Sequence, residues 1–349
     1  MSESWPPITV VIPAYNLQNY IADAILCAVN QDYPGSVQIV VLDDGSSDQT
    51  LAVATSTAKQ VENVSVHHQS NQGRVGARNR LLQLAETELV AWLDGDDIAP
   101  PDWIRQQFEL MQNDEEIVAV SGQGYAMTHD RLPIGPIPRP CSPEVIAQTH
   151  LKGKSNAFFQ SCTLTRRSSI LKSGSYRKNY PAAEDYDLWL RLEQIGKLAN
   201  HTECHLYYRV HSTSANATVG AQQRQQGFQC CNEARVARGL EPLEPQREPE
   251  IPPPRKDDWN RRMFWINVAL KAGNPWTASM LTYSALKAHP RSLWLWLFLL
   301  VGLSDSILFG GNRTERFRAG TKAQIGALPN LSFYRLGRRF YRWLNRKRH

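Results

Sequence analysis

Five short apolar, β-branched runs recur every 25–30 residues along the first third of this chain: Ile8–Ile12, Val37–Leu42, Val64–His67, Leu89–Leu93 and Val118–Ser121. Helical patterns fill the gaps. Tyr20, Ile21, Ala24, Ile25, Ala28 and Val29 follow the i, i+3, i+4 rule, as do Leu51, Ala54 and Ala58, and then Ala77, Leu81, Leu82 and Leu84. Strands alternating with helices predict an α/β fold with a mostly parallel central sheet and helices on both faces. Such sheets bind ligands outside the carboxyl ends of their strands. Polar clusters follow three of the runs: Pro13–Asn16, Asp43–Asp48 and Asp94–Asp97. The three are therefore expected to converge on one crevice. No internal repeat is present.

Leu93-Asp94-Gly95-Asp96-Asp97 places three carboxylates where a buried strand should emerge into solvent. Carboxylates so placed repel one another unless a cation lies between them. Mg²⁺ and Mn²⁺ are held by oxygen ligands, often one or two carboxylates together with substrate phosphates. The plain alternative is an acidic, solvated turn. In Asp43-Asp44-Gly45-Ser46-Ser47-Asp48, Gly45 allows a tight turn, and Ser46, Ser47 and Asp48 can cap the next helix. Asp44 could instead accept a hydrogen bond from the amide or imide edge of a base, with Tyr15 offering that base an aromatic face.

Asn71–Asn79 precedes a helix, with Gly73 and Gly76 permitting close backbone approach and Arg74 and Arg78 supplying charge. That combination suits phosphate, although a solvated surface arginine is the simpler reading, above all for Arg74. Glu184-Asp185-Tyr186-Asp187 opens an apolar helix. Acidic residues favour a helix N-terminus through the dipole, yet an Asp there beside a bound hydroxyl is also placed to act as a general base. His211 follows a further strand, Leu206–Val210; it is a metal ligand, a phosphate contact or simply structural.

Together Val11–Asn16, Asp43–Asp48, Asn71-Gln-Gly with Ala77-Arg-Asn79, Asp94–Asp97 and Glu184–Trp189 resemble the family 2 glycosyltransferases, inverting, metal-dependent enzymes of the GT-A fold. The resemblance runs in order from Ile8 to His211. It implies that Pro13, Tyr15 and Asp44 surround a uracil-type base, that Arg78 lies near the sugar-phosphate, and that Asp94 and Asp96 are the DxD pair. It further implies that Asp96 and His211 serve Mn²⁺ or Mg²⁺, that Asp185 is the catalytic base and that Glu184 is its neighbour. The implied activity moves a sugar from a nucleoside-diphosphate sugar, UDP foremost, to an acceptor hydroxyl of a glycan or lipid-linked acceptor. A catalytically silent scaffold would keep the fold and lose the base or the metal site, and both Asp96 and Asp185 are present. A dinucleotide dehydrogenase is disfavoured because no G-x-G-x-x-G follows the first strand. A receiver-type signalling domain is far shorter than these 349 residues.

At that length one large or two smaller domains are expected. A GT-A domain over 1–240 divides into a nucleotide-binding half, to about 125, and an acceptor half. Between Ile134 and about Leu198 the pattern is irregular and proline-rich, which predicts long loops over the site. Six prolines in Glu241–Pro254 predict a stiff linker, placed at 241–258. A basic helical region over 259–349 follows, with Gly273-Asn274-Pro275 breaking a helix pair. From Arg255 onward, 18 basic residues face 4 acidic ones. The run Leu293–Leu303 is too short for a confident span, which takes about 20 apolar residues. From Asn312 to His349, eleven Lys or Arg and one acidic residue are interleaved with Phe333, Leu336, Phe340, Trp343 and Leu344 at helical spacing. That pattern suits a helix on an anionic membrane surface; a soluble helical cap is the alternative, and no nucleic-acid role is expected. The six cysteines form no CxxC pair and no secretory leader is apparent. Reduced thiols and a cytoplasmic location, peripheral on the inner face of the cell membrane, are the expectation.

Overall fold

The computed structural model describes residues 5–153, 156–211, 220–244 and 259–288. Its centre is an eight-stranded sheet. The strands are β1 (Ile8–Ala14), β2 (Val37–Asp43), β3 (Val64–His68), β4 (Leu89–Trp92), β5 (Ile117–Thr128), β6 (Pro133–Ile137), β7 (Thr163–Arg166) and β8 (Lys197–Val210). Their order is β3-β2-β1-β4-β7-β5-β6, with β8 on the other edge of β5. β1 pairs in parallel with β2 and β4, and β2 with β3. β7 runs antiparallel between β4 and β5, so β5 and its parallel partner β8 point the same way as β4. The sheet is thus mostly parallel, as its alternation with helices requires.

Helices α1 (Ile21–Val29), α2 (Thr50–Ala58), α3 (Gly73–Leu84) and α4 (Trp103–Gln112) follow the first four strands. β1 shows why its sequence is apolar throughout. Ile8, Val10 and Ile12 enter one core with Ile21, Ile25 and Trp103, while Val11 enters the opposite core with Leu81, Trp92 and Trp189. A strand buried on both faces has no polar side to show.

The stretch expected to be long loops is instead largely ordered. It holds β6, α5 (Pro143–Leu151), β7, α6 (Arg167–Lys172) and α7 (Glu184–Leu192). The prolines misled because Pro133 and Pro136 lie on β6, where β5 is the only strand partner among the described residues and missing N–H groups are tolerated. α8 (Gly220–Ala237) packs on α7. The expected helix pair is present as α9 (Trp259–Lys271) and α10 (Pro275–Ala288). It covers β6 through Ile266, Ala269, Ala278 and Ala285. Gly135 makes that contact possible, since a Cβ there would meet Val268 Cγ1 at 2.7 Å. Most of the proline-rich linker, the run Leu293–Leu303 and the basic segment 312–349 lie outside the described residues.

Candidate active site

At the carboxyl end of β1 the chain turns through Tyr15, half exposed, and Asn16, whose φ of 54° is left-handed. Pro13 is still in β1, opposite Leu42 of β2. The next loop wraps over this turn. Asn16 N–H donates to Ser46 Oγ (2.9 Å), Ser47 N–H donates to Asn16 Oδ1 (2.9 Å), and Thr50 N–H donates to Asp48 Oδ1 (2.9 Å). Asp48 thus accepts from the first N–H of α2, whereas Ser46 and Ser47, expected as caps, instead brace Asn16. Gly45 sits at φ 72°, and a Cβ there would meet Asn71 N at 2.6 Å. Asp44 is buried; its Oδ1 accepts from Gln69 Nε2 (2.7 Å) and Gln72 N–H (2.9 Å). Among the described residues nothing donates to its Oδ2, so one oxygen of an otherwise anchored carboxylate is available beside Tyr15's turn.

The Asp94–Asp97 turn divides its carboxylates. Asp97 is buried, and its Oδ1 accepts Arg209 N–H at 3.0 Å. Burial first, then Asp96 and Asp94, hold it well above the usual carboxylate range. It belongs to the scaffold. Asp96 faces outward at 22% side-chain exposure, and its Oδ2 lies 2.8 Å from His211 Nε2. One carboxylate oxygen and one imidazole nitrogen meet at the strand ends, across 115 residues of sequence. No group of three or more such ligands is found among the described residues. The donor set nevertheless fits Mn²⁺ or Mg²⁺ completed by water and diphosphate oxygens, with the imidazole suiting Mn²⁺ better. Asp94 takes a third course. Its Oδ1 is 3.3 Å from Arg78 Nη2, and its N–H donates to Ser161 Oγ at 3.1 Å. Burial raises Asp94 against the pull of Arg78, with Asp96 and Asp185 raising it further.

Arg78, expected near a sugar-phosphate, has a buried guanidinium committed to protein carboxylates. Nη1 meets Glu184 Oε1 at 2.8 Å. Burial opposes its charge, but Asp94 and Glu184 more than offset this and raise its pKa. Arg74 is not simply solvated either: Nη2 donates to Pro181 O (3.0 Å) and Nε lies 3.5 Å from Glu184 Oε1. Glu184 is 1% exposed, and burial raises it against both arginines. It is a structural anion at the start of α7. Asp185, one residue on, takes Tyr186 N–H on Oδ1 (2.8 Å) and Asn156 Nδ2–H on Oδ2 (3.2 Å).

Arg209, Ser161 and Asn156 were not singled out by sequence reasoning. Arg209 lies in the apolar run that became β8, fully buried, donating to Asp96 O (2.7 Å), His129 O (2.7 Å) and Asp23 Oδ2 (3.1 Å). It fixes the backbone of the acidic turn from the strand that also carries His211. A charged residue inside an apolar run is the one signal that could have marked it.

Residues 9–174 match the model of the glycosyl transferase family 2. An uncharacterised glycosyltransferase of Haemophilus influenzae is 26% identical over 235 residues, covering 64% of this chain and 71% of that protein. The Escherichia coli protein named UDP-Glc:alpha-D-GlcNAc-diphosphoundecaprenol beta-1,3-glucosyltransferase WfaP is 28% identical over 214 residues, 60% of this chain and 80% of its own length. Among solved structures, S. aureus TarS 1-349 in complex with UDP-GlcNAc superposes with a TM-score of 0.52 at 16% identity, covering 90% of this chain and 92% of that one. The mannosyltransferase PcManGT from Pyrobaculum calidifontis, in complex with GDP-Man and Mn²⁺, gives 0.50 at 18% identity, covering 92% and 87%. These two speak to the fold, which is GT-A.

Proposed function

We propose that this chain, a member of the glycosyl transferase family 2, is an inverting, metal-dependent hexosyltransferase that uses a UDP-sugar. The observation that carries this reading is the Asp96–His211 pair, 2.8 Å apart at the mouth of the crevice. On this reading the same crevice holds Asp44, with one oxygen available, and Asp185 at a helix start. Uracil stacks on Tyr15 above Pro13 and donates its imide N–H to Asp44 Oδ2. Asp96 and His211 would hold Mn²⁺ or Mg²⁺, which when bound offsets the charge that builds on the departing diphosphate. Arg78 keeps Asp94 and Glu184 in place next to that charge. Asp185 takes the proton from the acceptor hydroxyl as its oxygen attacks C1 from the face opposite the leaving group. The C1–O bond to the acceptor forms as the C1–O bond to the diphosphate breaks. One displacement inverts the anomeric centre, and no protein nucleophile is needed.

Residues up to about 125 supply the nucleotide contacts other than His211, and those from 126 to 240 receive the acceptor. The name of WfaP supports a diphosphate-linked lipid as the acceptor class. Among the described residues no helix is long and apolar enough to cross a membrane. In this proposal a lipid-linked acceptor is met at an anionic membrane surface on the cytoplasmic face, the 11 Lys and Arg of 312–349 supplying the charge that suits such a surface. The test is UDP release from a panel of UDP-sugars with Mn²⁺, water serving as acceptor. Release from one or a few sugars, abolished by EDTA and restored by Mn²⁺, is expected. No release from any sugar, or full release in excess chelator, would overturn the proposal.

A further inference from the structure

Asp185 is not held by its own helix alone. Asn156, in the segment leading to β7, donates Nδ2–H to Asp185 Oδ2 at 3.2 Å. At its other end Oδ1 accepts Phe158 N–H at 3.0 Å and lies 3.2 Å from His150 Nε2. Beneath lies a buried column. His150, at the end of α5, is fully buried; Nε2 accepts Ala157 N–H at 3.0 Å, which leaves Nδ1–H to donate to Glu193 Oε1 at 2.6 Å. Glu193 Oε2 is paired with Arg238 Nη2 at 3.2 Å. Tyr186, the residue after Asp185, bonds through its hydroxyl to His150 O. Residues from α5, the end of α7 and the end of α8 thus converge to fix one short turn. Among the described residues, the side-chain donor that turn presents to Asp185 is the Asn156 amide. So much buried polar structure is costly unless every group is satisfied, and its product is a single N–H aimed at a carboxylate.

We infer that Asn156 is a positioning residue of the reaction: its amide holds the Asp185 carboxylate in one rotamer, ready to accept the acceptor's proton. This rests on Asp185 being the base. A hydrogen bond donated to a carboxylate favours the charged form over the protonated one. Groups acting electrostatically with Asp185 include Arg78 from α3, Asp94 after β4, Glu184 on its own helix, Tyr176 before α7 and Cys230 on α8. Of these only Arg78 is a cation, and it is already shared by Asp94 and Glu184. The neutral Asn156 donor therefore works against a mostly anionic surround.

Two substitutions separate this role from turn-holding. In Asn156→Ser the hydroxyl still accepts Phe158 N–H but is too short to reach Asp185. In Asn156→Asp the shape and the Phe158 bond remain, but an oxygen replaces the N–H that faces Asp185. UDP release from the fastest UDP-sugar of the panel is measured with Mn²⁺ against pH, alongside calorimetry with UDP and Mn²⁺. Asn156→Ser is expected to lower kcat by about ten- to a hundredfold, the worth of a hydrogen bond to a charged group. UDP affinity should stay as in the wild type. The acid limb of the pH–rate profile should move up by about one unit. Asn156→Asp should be slower still, with a larger move of the limb. Wild-type rates and an unmoved limb in both variants, with Asp185→Asn slow, would overturn the inference and leave the base assignment standing. Asp185→Asn at the wild-type rate would overturn both.

Discussion

Replacing Arg78 with Met removes the one guanidinium that lies between Glu184 and Asp94. Glu184 is then left 1% exposed, with Arg74 Nε at 3.5 Å as its remaining cation. Breaking a buried ion pair by deleting one partner costs about 3–5 kcal/mol, because the other charge stays behind unpaired. Arg74 is partly solvated and compensates in part, so the lower end, about 3 kcal/mol, applies. With a urea m-value of about 3 kcal/mol/M, the midpoint should fall by about 1 M. The sign of the pH dependence follows from Glu184. Its folded pKa is already raised by burial, and loss of Arg78 raises it further. A carboxyl group raised in the folded state costs nothing below its unfolded pKa, about 4.3. It costs progressively more as pH rises towards the folded value. The deficit of Arg78→Met should therefore shrink as pH is lowered from 7.5 towards 4.5, while the wild type changes less. Adding Glu184→Gln should recover more than half of the loss in a double-mutant cycle. A loss under about 1 kcal/mol, where surface ion pairs lie, or a deficit independent of pH, would refute the claim that this pair is a buried structural anchor.

Asp185→Asn should leave UDP affinity near normal and slow transfer by roughly 10²–10⁴-fold, the range for a positioned base; a matching collapse in affinity would make Asp185 a helix cap instead. Asp44→Ala and Tyr15→Ala should each weaken UDP binding in calorimetry more than they slow the bound complex, and unchanged affinity in both would move the base elsewhere. Full-length protein should pellet with anionic vesicles at low salt, each basic residue contributing about 1 kcal/mol. A chain ending after Ala288, which keeps the helices that cover β6, should not. Equal behaviour of the two would defeat the membrane role of the basic segment.

Where the sequence was legible, one physical cause dominated. β1 and β4 are mostly apolar because both faces are buried, and Ile8, Val10 and Ile12 opposite Val11 could hardly be read otherwise. The candidate site carboxylates were legible because parallel strands put their carboxyl ends on one edge, which places Asp44 after β2 and Asp96 after β4 on the same edge of the sheet. The rest depended on partners far away in sequence. β7 is four residues long and has no alternation to detect. Arg78 looked like a phosphate ligand because its partner Glu184 lies 106 residues away. Asp97 was indistinguishable from Asp96 until Arg209, 112 residues on, was seen to hold it inside. Asn156 carries no motif; only the buried His150–Glu193 pair beneath it gives it meaning.

If the crevice at the carboxyl ends of β1, β2 and β4 binds a nucleotide diphosphate through Asp96 and His211, crystals of the chain grown with UDP and Mn²⁺, measured at the manganese absorption edge, should show it. One strong anomalous peak is expected beside Asp96 Oδ and His211 Nε2, with the diphosphate next to it and the uracil between Tyr15 and Asp44. Manganese bound away from Asp96, or UDP ordered elsewhere with these residues untouched, would contradict it.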